Sequence, residues 1–155
     1  MDRSDEQTLP REQIRWDCSN ARLVRSLHFT AFALTCDLSD RCWIINQRGY
    51  ANLIPSSGDC VRGFIYELNP KDEAALDKYE GAPRIYEKRT IPVQLATKKT
   101  IDALVYIDFV STSPDAPKPE YIHRINMGLQ DALEKGISQS YIDKYIRRFI
   151  PPVSQ

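Results

Sequence analysis

Short connections between strand-like segments constrain the fold of this chain more than any other feature. Ser56–Asp59 has the composition of a hairpin turn and separates two strand-like segments, Gly49–Pro55 and Cys60–Leu68. Thr97–Lys99 separates a second pair of such segments in the same way. Because parallel strands need a long crossover between them, connections this short join antiparallel neighbours. We therefore expect an antiparallel or mixed sheet.

Helical patterns flank these strands. The best marked helix, Pro70–Glu80, has Asn69 as its N-cap and is followed by Gly81, the residue type at which helices often end. Three further helices are predicted, over residues 10–16, 120–135 and 138–150. This order of elements predicts the α+β class, as a curled sheet or small barrel flanked by helices.

Length and charge restrict the class of protein. We expect a single domain over residues 10–150, between a disordered segment 1–9 and a short tail, 151–155. The 21 basic and 21 acidic side chains are mixed along the chain, so there is no basic stripe for nucleic acid or an anionic membrane. The apolar runs are too short to span a bilayer, and the polar N-terminus is unlike a signal peptide. These features predict a soluble, cytoplasmic protein without a nucleic-acid or membrane partner.

Few residues of this chain suit a metal or a nucleophilic site. None of the four cysteines forms a C-x-x-C pair, and His28 and His123 are the two histidines. The sequence contains neither a G-x-S-x-G motif nor a glycine-rich phosphate-binding motif. We therefore predict no metal site and no nucleotide cofactor, and interpret both histidines as structural or surface residues.

Glu80 is the strongest candidate for proton transfer. It lies at the end of the predicted helix Pro70–Glu80, where the helix dipole favours cations over carboxylates. It also follows Leu76 by four residues, which places both on the face expected to turn inward. Partial burial and the helix dipole both favour the protonated form of a carboxyl group. The alternative interpretation is a solvated residue at a helix end.

Two tyrosines are candidates for the walls of the same pocket. Tyr86 opens the strand after the Glu80 loop and can carry a hydroxyl group to the pocket or stand at the rim of the sheet. Tyr121 begins a helix after a proline-rich loop and can line the pocket or pack in the core. We predict both as substrate-binding residues.

Five segments in order resemble motifs of the γ-glutamylcyclotransferase superfamily, including its AIG2-like and bacterial BtrG-like branches. Gly49–Pro55 looks like the family's G-x-A-x-[IL]-x-P strand, and Gly58–Leu68 looks like its G-x-x-V-x-G-x-x-Y-x-L hairpin. Leu76–Gly81 looks like its L-D-x-x-E-G motif, with Tyr86 at the family's downstream tyrosine. Lys118–Ile122 looks like a shortened P-[ST]-x-x-Y segment. The resemblance covers roughly residues 10 to 150.

The resemblance implies a small mixed, mainly antiparallel β-barrel with peripheral helices. It also implies that Glu80 is the general acid/base, which takes a proton from the α-amino group of a γ-glutamyl compound. The freed amine then attacks the γ-carbonyl of the same molecule, and 5-oxoproline and an amine or amino acid are released. This small-molecule reaction needs no cofactor, because the nucleophile is tethered to the group it attacks.

One departure from the family pattern leaves alternatives open. The family begins with a strand that ends in Y-G-S-N-[LM], and we find no such motif before the predicted helix at 10–16. Without this anchor, the same fold is compatible with Glu80 acting in an isomerase, lyase or cyclase step on a specialised metabolite. A non-catalytic binding protein or a truncated form is a third interpretation. A missing first strand would leave a sheet edge open, through which a homodimer could form.

Overall fold

The computed structural model describes residues 11–15, 34–68, 70–82 and 84–154. Its strands are β1 (Arg11–Arg15), β2 (Leu34–Ile45), β3 (Ala51–Leu68), β4 (Glu87–Leu95) and β5 (Thr100–Ile107). Its helices are α1 (Pro70–Tyr79), α2 (Pro119–Glu134) and the short α3 (Gln139–Tyr141), which continues into a π-helical segment, Ile142–Ile146. The predicted α+β class is confirmed, and α1 matches its prediction to within one residue. The predicted disordered segment 1–9, the N-cap Asn69 and His28 lie outside the described residues.

The strands follow the order β1-β3-β2-β4-β5 and close into a barrel. The pairs are antiparallel except for β1 and β5, which run parallel with Gln13 opposite Leu104. The carboxyl ends of β1 and β5 therefore point to one end of the barrel, where β3 starts at Ala51 and β4 starts at Glu87. We call this the Ala51 end of the barrel.

The helix predicted over residues 10–16 is wrong, because Arg11–Arg15 forms β1. This strand pairs antiparallel with the last residues of β3, from Phe64 to Leu68. With Ile14 as its only aliphatic residue, the segment has little helical periodicity, so its pairing with two neighbouring strands decides its structure. The expectation that no strand precedes β2 is therefore also wrong. The structure does not test the predicted homodimer. However, β1 occupies the sheet edge that was expected to be open and through which the homodimer would form.

The hairpin turn predicted at Ser56–Asp59 is also wrong, because these residues form a bulge inside the continuous strand β3. β2 and β3 pair on both sides of the bulge, and the register shifts where Asp40 faces it. The Asp40 carboxylate accepts a hydrogen bond from the Gly58 N–H at 3.0 Å, and both residues have positive φ. The turn-forming residues Ser56–Asp59 are thus the extra residues of β3 that bulge out of its pairing with β2. The chain reverses instead at residues 46–50, where the Asn46 N–H donates to the Tyr50 carbonyl at 2.9 Å.

The core fills the barrel and extends under the C-terminal helices. Trp43 of β2 is 1% exposed and packs edge-to-face against Phe149, with 6.0 Å between the ring centroids. Ser138 caps α3, since its hydroxyl oxygen accepts from the Tyr141 N–H at 3.2 Å. None of the helices in the described part of the chain has the length and apolar character needed to cross a membrane.

Candidate active site

The end of α1 fixes the backbone position of Glu80. The Ala82 N–H donates to the Asp77 carbonyl at 2.9 Å. The Gly81 N–H donates to the Lys78 carbonyl at 3.3 Å, and Gly81 has a φ of +65°. These two bonds and the left-handed glycine define a Schellman motif in which Glu80 is the C-cap residue. The Glu80 side chain is half-buried at this cap.

Replacing Gly81 with alanine is expected to lower the free energy of unfolding by about 1–2 kcal/mol, because L-residues are strained in the left-handed region. The new Cβ would also lie 3.1 Å from Cδ1 of Ile85. Urea unfolding measures the loss. Gly58→Ala is the matched control, since it has the same backbone strain with no neighbour within 4 Å of the new Cβ, and it should cost less. An unchanged unfolding midpoint for Gly81→Ala would contradict the strained cap.

Glu80 belongs to an acidic face of α1 that meets two side chains of the barrel. Glu73, Asp77 and Glu80 are spaced by four and three residues, so they share one side of the helix. Lys88 of β4 donates from Nζ to Glu73 Oε1 at 2.7 Å and to Asp77 Oδ2 at 2.9 Å. Tyr106 of β5, directly opposite Lys88 in the β4–β5 ladder, donates its hydroxyl to Asp77 Oδ1.

The electrostatics keep the barrel side chains protonated. Burial is the largest cause that raises the pKa of the Tyr106 hydroxyl, followed by its hydrogen bond to Asp77 and the charges of Asp77, Glu80 and Glu73. Burial lowers the pKa of Lys88, but its hydrogen bonds to Glu73 and Asp77, together with the charges of these carboxylates, outweigh this effect and raise the pKa overall. Near neutral pH, Lys88 is therefore a cation and Tyr106 a hydrogen-bond donor.

Tyr86 and Tyr121 meet at Ala51, the first residue of β3. The Tyr86 hydroxyl donates to the Ala51 carbonyl at 3.0 Å, and the Tyr121 hydroxyl accepts from the Ala51 N–H at 3.4 Å. Tyr121 is 1% exposed and packs edge-on against Tyr50, whereas Tyr86 is half-buried. Both hydroxyls therefore bind backbone at the Ala51 end of the barrel, and their contact with substrate stays a prediction.

A buried aspartate at the same end of the barrel did not emerge from the sequence as a candidate. Asp108 is 0% exposed, and its Oδ1 accepts from the N–H groups of Val110 and Ser111 at 2.9 and 3.0 Å. Its Oδ2 accepts from Arg48 Nε at 2.9 Å. The Asp108 N–H and carbonyl bind the side chain of Asn52 at 3.0 and 2.8 Å. This network ties the segment after β5 to the β2–β3 turn.

Comparison with known families identifies the relationship of the chain. Residues 19–122, more than half of the sequence, match the family model described as gamma-glutamyl cyclotransferase, AIG2-like. The chain belongs to this family. The family match contains Glu80, Tyr86 and Tyr121. A sequence comparison with curated proteins gave no match.

Solved structures share the fold of this AIG2-like chain. One, titled gamma-glutamyl cyclotransferase, is 20% identical with a TM-score of 0.75, covering 94% of this chain and 90% of that one. A human protein titled uncharacterized is 21% identical with a TM-score of 0.75, covering 94% of this chain and 90% of that one. YkqA from Bacillus subtilis is 18% identical with a TM-score of 0.76, over 93% of this chain and 56% of that one. At these identities the likeness shows the fold alone.

A sequence signal for the missing part of the family pattern lies a few residues after the end of β1. The family's first strand ends in Y-G-S-N-[LM], and here the strand Arg11–Arg15 is followed by Ser19-Asn20. Only these two residues match the motif, and both lie outside the described residues. The signal was missed because a helix, rather than a strand, was predicted before it.

The described residues offer no grouping of three or more His, Cys, Asp or Glu side chains that could hold a metal ion. The acidic face of α1 is instead engaged by side chains of the protein. Lys88 and Tyr106 together bind both oxygens of Asp77, and Lys88 also binds Glu73. The arrangement offers a half-buried carboxylate, Glu80, on a helix that these contacts hold against the barrel.

Proposed function

We propose that this chain is an enzyme that cyclises a γ-glutamyl compound and releases 5-oxoproline, with Glu80 as the general acid/base. Its membership of the AIG2-like gamma-glutamyl cyclotransferase family supports the class of reaction. The observation that carries the proposal is the position of Glu80. The glutamate of the L-D-x-x-E-G motif is held half-buried at a Schellman cap, three residues after Asp77, which binds two side chains of the barrel.

The reaction requires proton transfer at two nitrogen atoms of the substrate. Glu80 takes a proton from the α-amino group, and the freed lone pair of that nitrogen attacks the γ-carbonyl carbon. A new carbon–nitrogen bond closes the ring. The ring nitrogen then gives up its second proton, and the bond from the same carbon to the leaving nitrogen breaks. Glu80 relays the two protons in turn to the leaving nitrogen, which departs as an ammonium group. The atoms balance without water or a redox partner, because the substrate contains both the nucleophile and the leaving group.

The neighbours of Glu80 favour this reaction over proton abstraction from an apolar metabolite. Asp77, Lys88 and Tyr106 surround the end of α1 with charge and a phenolic hydroxyl. A charged γ-glutamyl group suits such polar surroundings better than an apolar substrate, which would displace water from them without offering a hydrogen bond.

The proposal is tested with paired substrates. A γ-glutamyl amino acid and a γ-glutamyl alkylamine are each incubated with the protein, and 5-oxoproline and the released amine are quantified by mass spectrometry. We expect equimolar products from at least one of the two. The matched control is the same compound with its α-amino group acetylated, which removes the nucleophile and should give no 5-oxoproline. Absence of 5-oxoproline from both free amines would overturn the proposed reaction.

A further inference from the structure

Three side chains from three elements form a hydrogen-bonded group one turn before Glu80, which we call the clamp. Its members are Asp77 of α1, Lys88 of β4 and Tyr106 of β5. Each oxygen of the Asp77 carboxylate has its own donor, with Lys88 on Oδ2 and Tyr106 on Oδ1. The two donors are cross-strand partners, so the β4–β5 ladder fixes the spacing between them.

We propose that the clamp positions Glu80 and sets the charge around its carboxylate. This inference rests on the proposed role of Glu80 in proton transfer. The clamp holds α1 against the barrel at Asp77, and the Ala82 N–H binds the carbonyl of the same residue. One residue is thus fixed through both its side chain and its backbone, three residues before Glu80. General acid/base catalysis needs such fixed geometry, because small displacements of the catalytic group lower the rate.

The charged and polar groups at the face of α1 that carries Glu80 come from three elements. Among the described residues, α1 contributes Glu73 and Asp77, β4 contributes the ammonium group of Lys88, and β5 contributes the neutral phenol of Tyr106. A neighbouring carboxylate favours the protonated form of Glu80, and a neighbouring ammonium group favours its ionised form. Removing Asp77 and removing Lys88 should therefore change the titration of Glu80 in opposite directions. A purely structural role would not produce this opposition.

The test is a carbon-13 NMR titration of glutamate carboxyl groups, in which the Glu80 signal is assigned by its loss in Glu80→Gln. We expect Lys88→Met to move the Glu80 titration midpoint to higher pH, and Asp77→Asn to move it to lower pH, each by about 0.5 pH unit. Lys88→Arg retains the cation and should restore the wild-type midpoint. Arg89→Met is the matched control, because it removes the adjacent cation on β4, which pairs with Glu87 and is exposed.

Tyr106→Phe separates positioning from charge. It removes the hydrogen bond to Asp77 and leaves every formal charge in place. We expect kcat for 5-oxoproline release to fall about tenfold with KM little changed, as for a group displaced from its working geometry. The Glu80 titration midpoint should stay close to that of the wild type.

The outcomes distinguish this inference from the proposed function. Opposite displacements by Lys88→Met and Asp77→Asn support the clamp even if no γ-glutamyl compound is turned over, in which case the proposed reaction alone fails. Equal displacements by Lys88→Met and Arg89→Met would overturn the clamp, as would displacements of the same sign by Lys88→Met and Asp77→Asn. If the wild type is active, the pH profile of kcat/KM can also be compared between proteins. Its acid limb should shift in each variant in the same direction as the Glu80 titration midpoint.

Discussion

Replacing Glu80 with glutamine is expected to lower the kcat for 5-oxoproline release by about 10²–10⁴-fold, the usual contribution of a positioned general acid/base. Glutamine is nearly isosteric with glutamate and retains hydrogen-bonding capacity, but it cannot accept the proton of the substrate's α-amino group. The Schellman cap is made by backbone groups, so the fold should survive the change. Initial rates of 5-oxoproline formation measure the effect, and the thermal unfolding midpoint checks the fold.

Glu134→Gln is the matched control for this experiment. Glu134 is the exposed last residue of α2, and its replacement changes the net charge by the same amount. We expect wild-type rates from this variant. A Glu80→Gln protein that folds normally and turns over at the wild-type rate would remove Glu80 from the mechanism.

Loss of the Asp108 carboxylate is expected to produce the largest change in stability, a decrease of about 3 kcal/mol in the free energy of unfolding. Asp108→Ala leaves the N–H groups of Val110 and Ser111 and the Arg48 guanidinium without their acceptor. Asp108→Asn keeps the shape but presents an amide donor to at least one of these donors. Chemical denaturation at pH 7 measures both variants. The control is Asp102→Asn, an exposed aspartate of β5, the strand that precedes Asp108.

The stability due to Asp108 should depend on pH in a defined direction. Burial by itself raises the pKa of this carboxyl group. The N–H groups of Ser111 and Val110 and the charge of Arg48 outweigh burial and hold the pKa below its usual value. The contribution is therefore complete above the unfolded-state pKa of about 3.9 and is lost as the pH falls through the lower folded-state value. The difference in the free energy of unfolding between wild type and Asp108→Asn should decrease below about pH 4. An increase in this difference on acidification would contradict this account.

Local signals in the sequence predicted α1 and the position of Glu80. The Pro70 start and the Gly81 end act within a few residues, and the structure places both helix ends where these residues indicate. The ordered motifs also predicted the family. By contrast, the turn-forming composition of Ser56–Asp59 suits a bulge as well as a hairpin, and the choice depends on pairing with β2.

The remaining parts of the candidate site depend on contacts between distant residues. Lys88 and Asp77 lie 11 residues apart, Tyr106 and Asp77 lie 29 apart, and Arg48 and Asp108 lie 60 apart. In the sequence, Lys88 is one of several charged residues of a strand, and Asp108 is one polar residue in an alternating pattern. Their roles follow from strand register, which periodicity alone does not specify.

The central claim is that Glu80 serves an intramolecular cyclisation, and product analysis in water labelled with heavy oxygen tests it most directly. The protein is incubated with a γ-glutamyl compound in this water, the products are separated, and their masses are measured by mass spectrometry. Cyclisation predicts 5-oxoproline without heavy oxygen, formed by the wild type and strongly reduced in Glu80→Gln. Glutamate that carries heavy oxygen would show hydrolysis by water instead, and would contradict the account.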